Sequence, residues 1–194
     1  MKFLPVLLVS ILSITTLHGC APAVVGGAAA TGAAMHSRRT VGAFVDDESI
    51  ELKAKLAILE NSDVSSQTHI NIISVNGVVL IVGQAPSEAL KLQVQNIVTG
   101  IEKVRLVHNE VAIAAPNSMM TRSSDTLITA KVKTSLFNIK GIEDFDASRV
   151  KVVTEDGVVY LMGLLYRREA AAVGEQARTV GGVEKVVKLF EYLD

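Results

Sequence analysis

The sequence predicts an α+β protein made of two tandem copies of one αββαβ unit. Each unit is a small three-stranded mixed sheet packed on two helices. Three observations carry that reading. Blocks recur in the same order: Asn76-Gly77-Val78-Val79-Leu80-Ile81-Val82-Gly83 matches Asp156-Gly157-Val158-Val159-Tyr160-Leu161-Met162-Gly163, Gly100 to Val104 matches Gly182 to Val186, and 47–55 matches 125–133. Three matched blocks separated only by small insertions define an internal repeat. Asn76-Gly77 and Asp156-Gly157 then sit between β-rich runs, where a two-residue hairpin turn needs φ > 0 at both positions. Finally, apolar residues at helical spacing (Ile128, Val132 and Leu136 in the second copy) precede the hairpin.

The chain has 194 residues, 49% hydrophobic but only 4% aromatic, with no Trp. Its mean hydropathy of +0.38 is high, and much of that weight lies at the start. Met1-Lys2 is a short positive segment, Phe3 to Leu17 is mostly apolar, and Gly19-Cys20 closes it. That run is too short for a membrane span and reads as an export signal over 1–19. Leu17-His18-Gly19-Cys20 resembles a bacterial lipobox, which implies that Cys20 is acylated and becomes the mature N-terminus. Several acyl chains would anchor the protein stably. Ala21 after the cysteine, by analogy with lipoprotein sorting, points to the outer membrane. Residues 20–45 are rich in Ala, Gly, Ser and Thr and read as the lipidated cysteine and a flexible tether.

The first unit is expected over 46–115, the linker over 116–123 and the second unit over 124–194. An Asp N-cap, Asp47 or Asp125, opens the first helix of each. Strands follow over 70–75 and 150–154, then 78–82 and 158–162, the latter ending at the structural glycines Gly83 and Gly163. Second helices are expected over 86–99, opened by Pro86, and 166–180, stopped by Gly100 and by Gly181-Gly182. Final strands run over 103–113 and 184–192. Two helices on one sheet face would bury a single apolar layer per unit.

The strand G-V-V-x-L/V-x-G with its closing glycine, Gly83 or Gly163, resembles the BON domain, and the resemblance covers both repeats. Lipobox, tether and two such domains together resemble the dual-BON outer-membrane lipoproteins. That resemblance implies binding of anionic phospholipid, phosphatidylglycerol or cardiolipin, through the second domain. It also implies support of outer-membrane integrity and of envelope remodelling at the division site. Leu127 stands where that family carries a membrane-entering Trp, which implies differently tuned binding.

Residue chemistry bears on that expectation. Leu127 lies off the core stripe, beside Thr126, Lys131 and Lys133, with Arg122 upstream. A large apolar side chain among cations suits an anionic interface. The candidate lipid-binding set is Arg122, Thr126, Leu127, Ile128, Lys131, Lys133 and Ser135. In the first copy Glu48, Ser49 and Glu51 replace Thr126, Leu127 and Thr129. Residues 46–115 hold 5 basic and 9 acidic residues, while 117–194 hold 11 of each. The rival reading is an adaptor that docks an envelope protein without specific lipid binding.

Other classes find little support. A formal charge of −1 argues against a duplex nucleic-acid partner. One cysteine permits neither an intrachain disulfide nor a multi-cysteine metal site. His69 and His108 lack metal-ligand spacing, and no G-x-G-x-x-G, Walker or G-x-S-x-G motif occurs. No enzyme, cofactor or metal is expected.

Overall fold

The computed structural model describes residues 38–194. The export signal, Cys20 and most of the tether lie outside the described residues. In chain order the elements are α1 (Val41–Glu60), α2 (Ser62–Ser65), β1 (His69–Val75), β2 (Val78–Ala85), α3 (Glu88–Thr99), β3 (Leu106–Asn109) and β4 (Ala112–Ile113). The second unit comprises α4 (Met119–Leu136), a 3-10 turn (Ala147–Arg149), β5 (Lys151–Glu155), β6 (Val158–Leu165), α5 (Arg167–Arg178) and β7 (Lys185–Tyr192).

Both units share one topology. The hairpin strands pair antiparallel, with Val75 opposite Val78 and Glu155 opposite Val158. The last strand returns parallel to the second, Leu106 beside Val78 and Lys185 beside Val158. The second strand is therefore central in each sheet. In the first unit the returning strand is broken after Asn109 into β3 and β4, both still paired to β2.

The first helix of each unit begins earlier than expected. Thr40 caps α1 through its hydroxyl, which accepts from Ala43 N at 3.0 Å, so 41–45 are helical rather than tether. Ser118 caps α4 in the same way, so 119–123 are helical rather than linker. Ser87 caps α3, so that helix starts at Glu88 and Pro86 lies before it rather than opening it.

Asp47 and Asp125 consequently are not N-caps. Both are buried within their helices, where each carboxylate accepts from the hairpin turn that follows. Asp47 accepts from Asn76 N at 2.7 Å, Gly77 N at 2.8 Å and Ser74 Oγ at 2.7 Å. Asp125 accepts from Asp156 N at 2.9 Å and Gly157 N at 3.0 Å. Each carboxylate thereby satisfies two turn N–H groups, of which Gly77 N is buried. An aspartate before an apolar stripe looks like a cap in sequence; here it pins a hairpin.

Gly83 and Gly163 do not end their strands either. They lie inside β2 and β6 at φ +122° and +151°. A Cβ there would stand 1.9 Å from His69 O and 2.4 Å from Arg149 O, so only glycine admits this close backbone approach.

The expected single apolar layer per unit is half of the packing. One sheet face carries the unit's own helices: Ile50, Ala54 and Ile58 of α1 and Val94 and Val98 of α3 pack on Ile72, Val79 and Ile81. Ile128, Val132 and Leu136 with Val173 and Ala177 do the same on Val152, Val159 and Leu161. The other faces pack on each other. Ile73, Val75, Val78, Leu80 and Val82 meet Val153, Tyr160 and Met162 in one buried cluster shared by the two units. The molecule is thus layered helix, sheet, sheet, helix. Burial at this interface pushes the Tyr160 hydroxyl up to about 12. The sequence signal was present: Val78 to Val82 is apolar without alternation, the mark of a strand covered on both faces.

Candidate lipid-facing helix and interdomain groove

Most candidate residues lie on α4, and its helical geometry sorts them. The core stripe is Asp125, Ile128, Val132 and Leu136. Ile128 is only 6% exposed and packs in the second core. Its side chain faces the core, because two adjacent helical positions lie about 100° apart and Leu127 takes the outer one. Ser135 is half-buried and its hydroxyl donates to Val132 O at 2.8 Å.

The outer face is more apolar than the sequence suggests. Leu127 is 61% exposed, and Met119 (76%), Met120 (83%) and Phe137 (71%) are more so. Met120 lies about 20° from Leu127 at the start of the helix, and Met119 and Phe137 lie about 80° from it on the side of Arg122 and Lys133. In sequence they are hidden, because they fall in the expected linker and just past the last helical turn. Lys131 is exposed about 40° around the helix from Leu127. The helix carries a single acid, Asp125, and that carboxylate is buried against the turn.

Arg122 and Lys133 turn the other way, about 140° and 120° from Leu127. Thr126 lies between, its Oγ1 donating to Arg122 O at 2.9 Å. Arg122 lines a groove of about 530 Å³ between the two units, walled by α1 and α4 and floored by edge strands β1 and β5. Its Nε is buried without a hydrogen-bond partner. Burial and the Arg122 charge both lower the His69 pKa in this groove. Glu155 accepts from Gln84 Nε2 at 2.6 Å, yet burial holds its pKa above the usual carboxylate value. The candidate set is therefore divided: Leu127 and Lys131 face outward, whereas Arg122 and Lys133 face the first unit.

The same face of α1 has an apolar stripe of its own. Val41, Val45, Leu52, Leu56 and Leu59 are exposed, flanked by Glu48, Lys55 and Glu60. Glu51 is not an outward charge, since its Oε1 accepts from Ser74 N at 3.0 Å. Among the described residues no cluster of His, Cys, Asp and Glu could hold a metal ion, and no helix is long and apolar enough to cross a membrane.

A tandem pair of small αββαβ units fused through their sheets defines the class. The BON domain model matches residues 46–115 and 124–194, and the chain belongs to the BON-domain family, with two copies. Within that family it is similar to the outer membrane lipoprotein DolP of Haemophilus influenzae: 34% identity over 178 residues, covering 92% of this chain and 91% of the relative. A protein named 21 kDa hemolysin from Actinobacillus pleuropneumoniae is 34% identical over 80% of this chain and 78% of its own. Osmotically-inducible protein Y of Escherichia coli is 31% identical over 77% of this chain and 74% of its own.

Proposed function

We propose that the protein is a non-enzymatic lipoprotein of the DolP kind, anchored through Cys20 to the periplasmic face of the outer membrane. It binds anionic phospholipid, phosphatidylglycerol or cardiolipin, through the outer face of α4, and supports outer-membrane integrity and division-site remodelling. The observation that supports this reading most is the makeup of that face. Exposed Met120 and Leu127 stand with Lys131, exposed Met119 and Phe137 lie about 80° round the helix from Leu127, and the helix presents no outward acid. Apolar insertion at about 25 cal/mol per Å² and about 1 kcal/mol per surface lysine act together at an anionic leaflet.

The experiment is cosedimentation of the chain from Cys20 onward, with Cys20→Ser, on vesicles with and without phosphatidylglycerol. Leu127→Glu should weaken binding to anionic vesicles about tenfold. Unchanged binding of that variant, or no preference for anionic vesicles, overturns the reading.

The adaptor reading has its own support in the apolar stripe of α1, whose rim mixes Glu48 and Glu60 with Lys55. Mixed charge suits a protein partner better than an anionic surface. On that reading Leu52→Glu, not Leu127→Glu, removes function.

A further inference from the structure

A second recess lies where the two units and the start of the described chain meet. It holds about 260 Å³ and is lined by Arg39, Lys133, Arg149 and Lys151, with Phe137 and Leu164 as its main apolar groups. None of the residues lining it is acidic. The cations come from separate parts of the sequence: the segment before α1, the end of α4, the 3-10 turn and the start of β5. No single element or repeat contains the site.

The arginines already have carboxylate partners. Arg39 Nη1 donates to Asp47 at 2.6 Å, and Arg149 pairs with Asp144 at 3.6 Å. The lysines are less committed. Lys133 pairs with no carboxylate among the described residues, and Lys151 reaches Glu51 only at 3.9 Å, an acid that Lys55 also shares. Two lysines and two carboxylate-paired arginines lining one recess, beside an exposed aromatic ring, match an oxyanion attached to an apolar body.

The position adds a second argument. Arg38 stands eighteen residues after Cys20, about 60 Å at full extension. Arg38 and Arg39 are tied to the two units at this point, so the chain enters the fold beside the recess. An anchored protein would carry this end nearest its own leaflet.

We infer that this interdomain recess is a phosphate oxyanion site, taking the headgroup phosphate of an anionic lipid between Lys133 and Lys151. The inference rests on the lipid-binding reading for its ligand source but not for its location. It makes lipid recognition a property of the paired domains, because Arg39 is held by Asp47 of the first unit, whose Val75 also lines the recess, and the other cations belong to the second.

The test has two arms, both with the chain from Cys20 onward carrying Cys20→Ser. In the first, backbone amide shifts are followed while titrating glycerol 3-phosphate, inorganic phosphate and chloride at constant ionic strength. Shifts gathered at Lys133, Phe137, 149–151 and Gly163, given by both phosphates and not by chloride, are expected. No shifts, or shifts spread over surface lysines generally, overturn the site. In the second, Lys133→Ala with Lys151→Ala should weaken binding to phosphatidylglycerol vesicles about tenfold or more. Lys53→Ala with Lys140→Ala, which removes the same charge elsewhere, should leave it within about twofold. Pocket shifts with unchanged vesicle binding overturn the headgroup as ligand and assign the site to a free phosphate compound. Vesicle binding lost in Leu127→Glu but kept in the lysine pair, without pocket shifts, removes this inference and retains the lipid reading. Vesicle binding absent from the unaltered protein removes the lipid reading itself.

Discussion

Arg38, three residues before α1, grips Glu169 on α5 of the second unit. Its Nη1 and Nη2 donate to the two carboxylate oxygens at 2.6 and 3.0 Å. Its guanidinium also stacks on Tyr166, 4.8 Å from the ring centroid. The next residue, Arg39, holds Asp47 of the first unit. Two consecutive arginines thus tie the entering chain to both domains.

Arg38→Ala should cost about 2–3 kcal/mol, since Glu169 is left buried with only Tyr166 N–H at 2.9 Å and the more distant Arg149. Burial alone would raise the Glu169 pKa, but the Arg38 hydrogen bonds and charge bring it below the usual 4.5. Its stabilisation is therefore complete above pH 4.5 and is lost as pH falls through the depressed value. Hydrogen exchange over 38–46 should quicken in the variant at pH 7 and in the unaltered protein only in acid.

Asp47→Ala should destabilise more than Asp125→Ala. Asp47 accepts from Ser74, Asn76, Gly77 and Arg39, whereas Asp125 accepts from two turn amides. Losses of about 4 and about 2 kcal/mol are expected. Urea unfolding checks the order; equal losses would mean that the turn amides alone matter.

Gly83→Ala and Gly163→Ala should each cost more than about 3 kcal/mol. The new methyl would meet a backbone carbonyl, His69 O or Arg149 O, and backbone cannot rotate aside as a side chain can. Thermal unfolding measures it. Gly141→Ala is the contrast: it too has positive φ, but its added Cβ meets nothing within 4 Å. Its cost should be about 1 kcal/mol.

Glu155→Gln should leave the protein as stable or more stable at neutral pH. The folded state holds Glu155 above the usual 4.5 through burial, so keeping it ionised costs stability above the raised value. The amide oxygen still accepts from Gln84 Nε2. Melting curves between pH 4 and 7 should show the variant's advantage growing as pH rises through that range.

Much of the fold is readable in the chain itself. The repeat, both Asn-Gly or Asp-Gly turns and the stripe Ile128, Val132 and Leu136 are local patterns, set by turn stereochemistry and helical period. Leu127 is recognisable as outward because it falls off that stripe. Asp47 and Asp125 mislead because a carboxylate before a helix and one reaching a distant turn look alike in one dimension. Ile128 is drawn into the candidate surface by adjacency to Leu127, although helical geometry sends the two in different directions.

The sequence by itself determined the elements, their order and their duplication, because these follow from backbone preferences and apolar period within short windows. Tertiary structure alone decided what the second sheet faces do. Val75 and Leu80 pack against Tyr160 and Met162 across the two units, and that burial brings Arg39, Lys133 and Lys151 to one recess. Each side chain's environment there is supplied by residues from separate parts of the chain, and contacts of that range have no periodic signature to read.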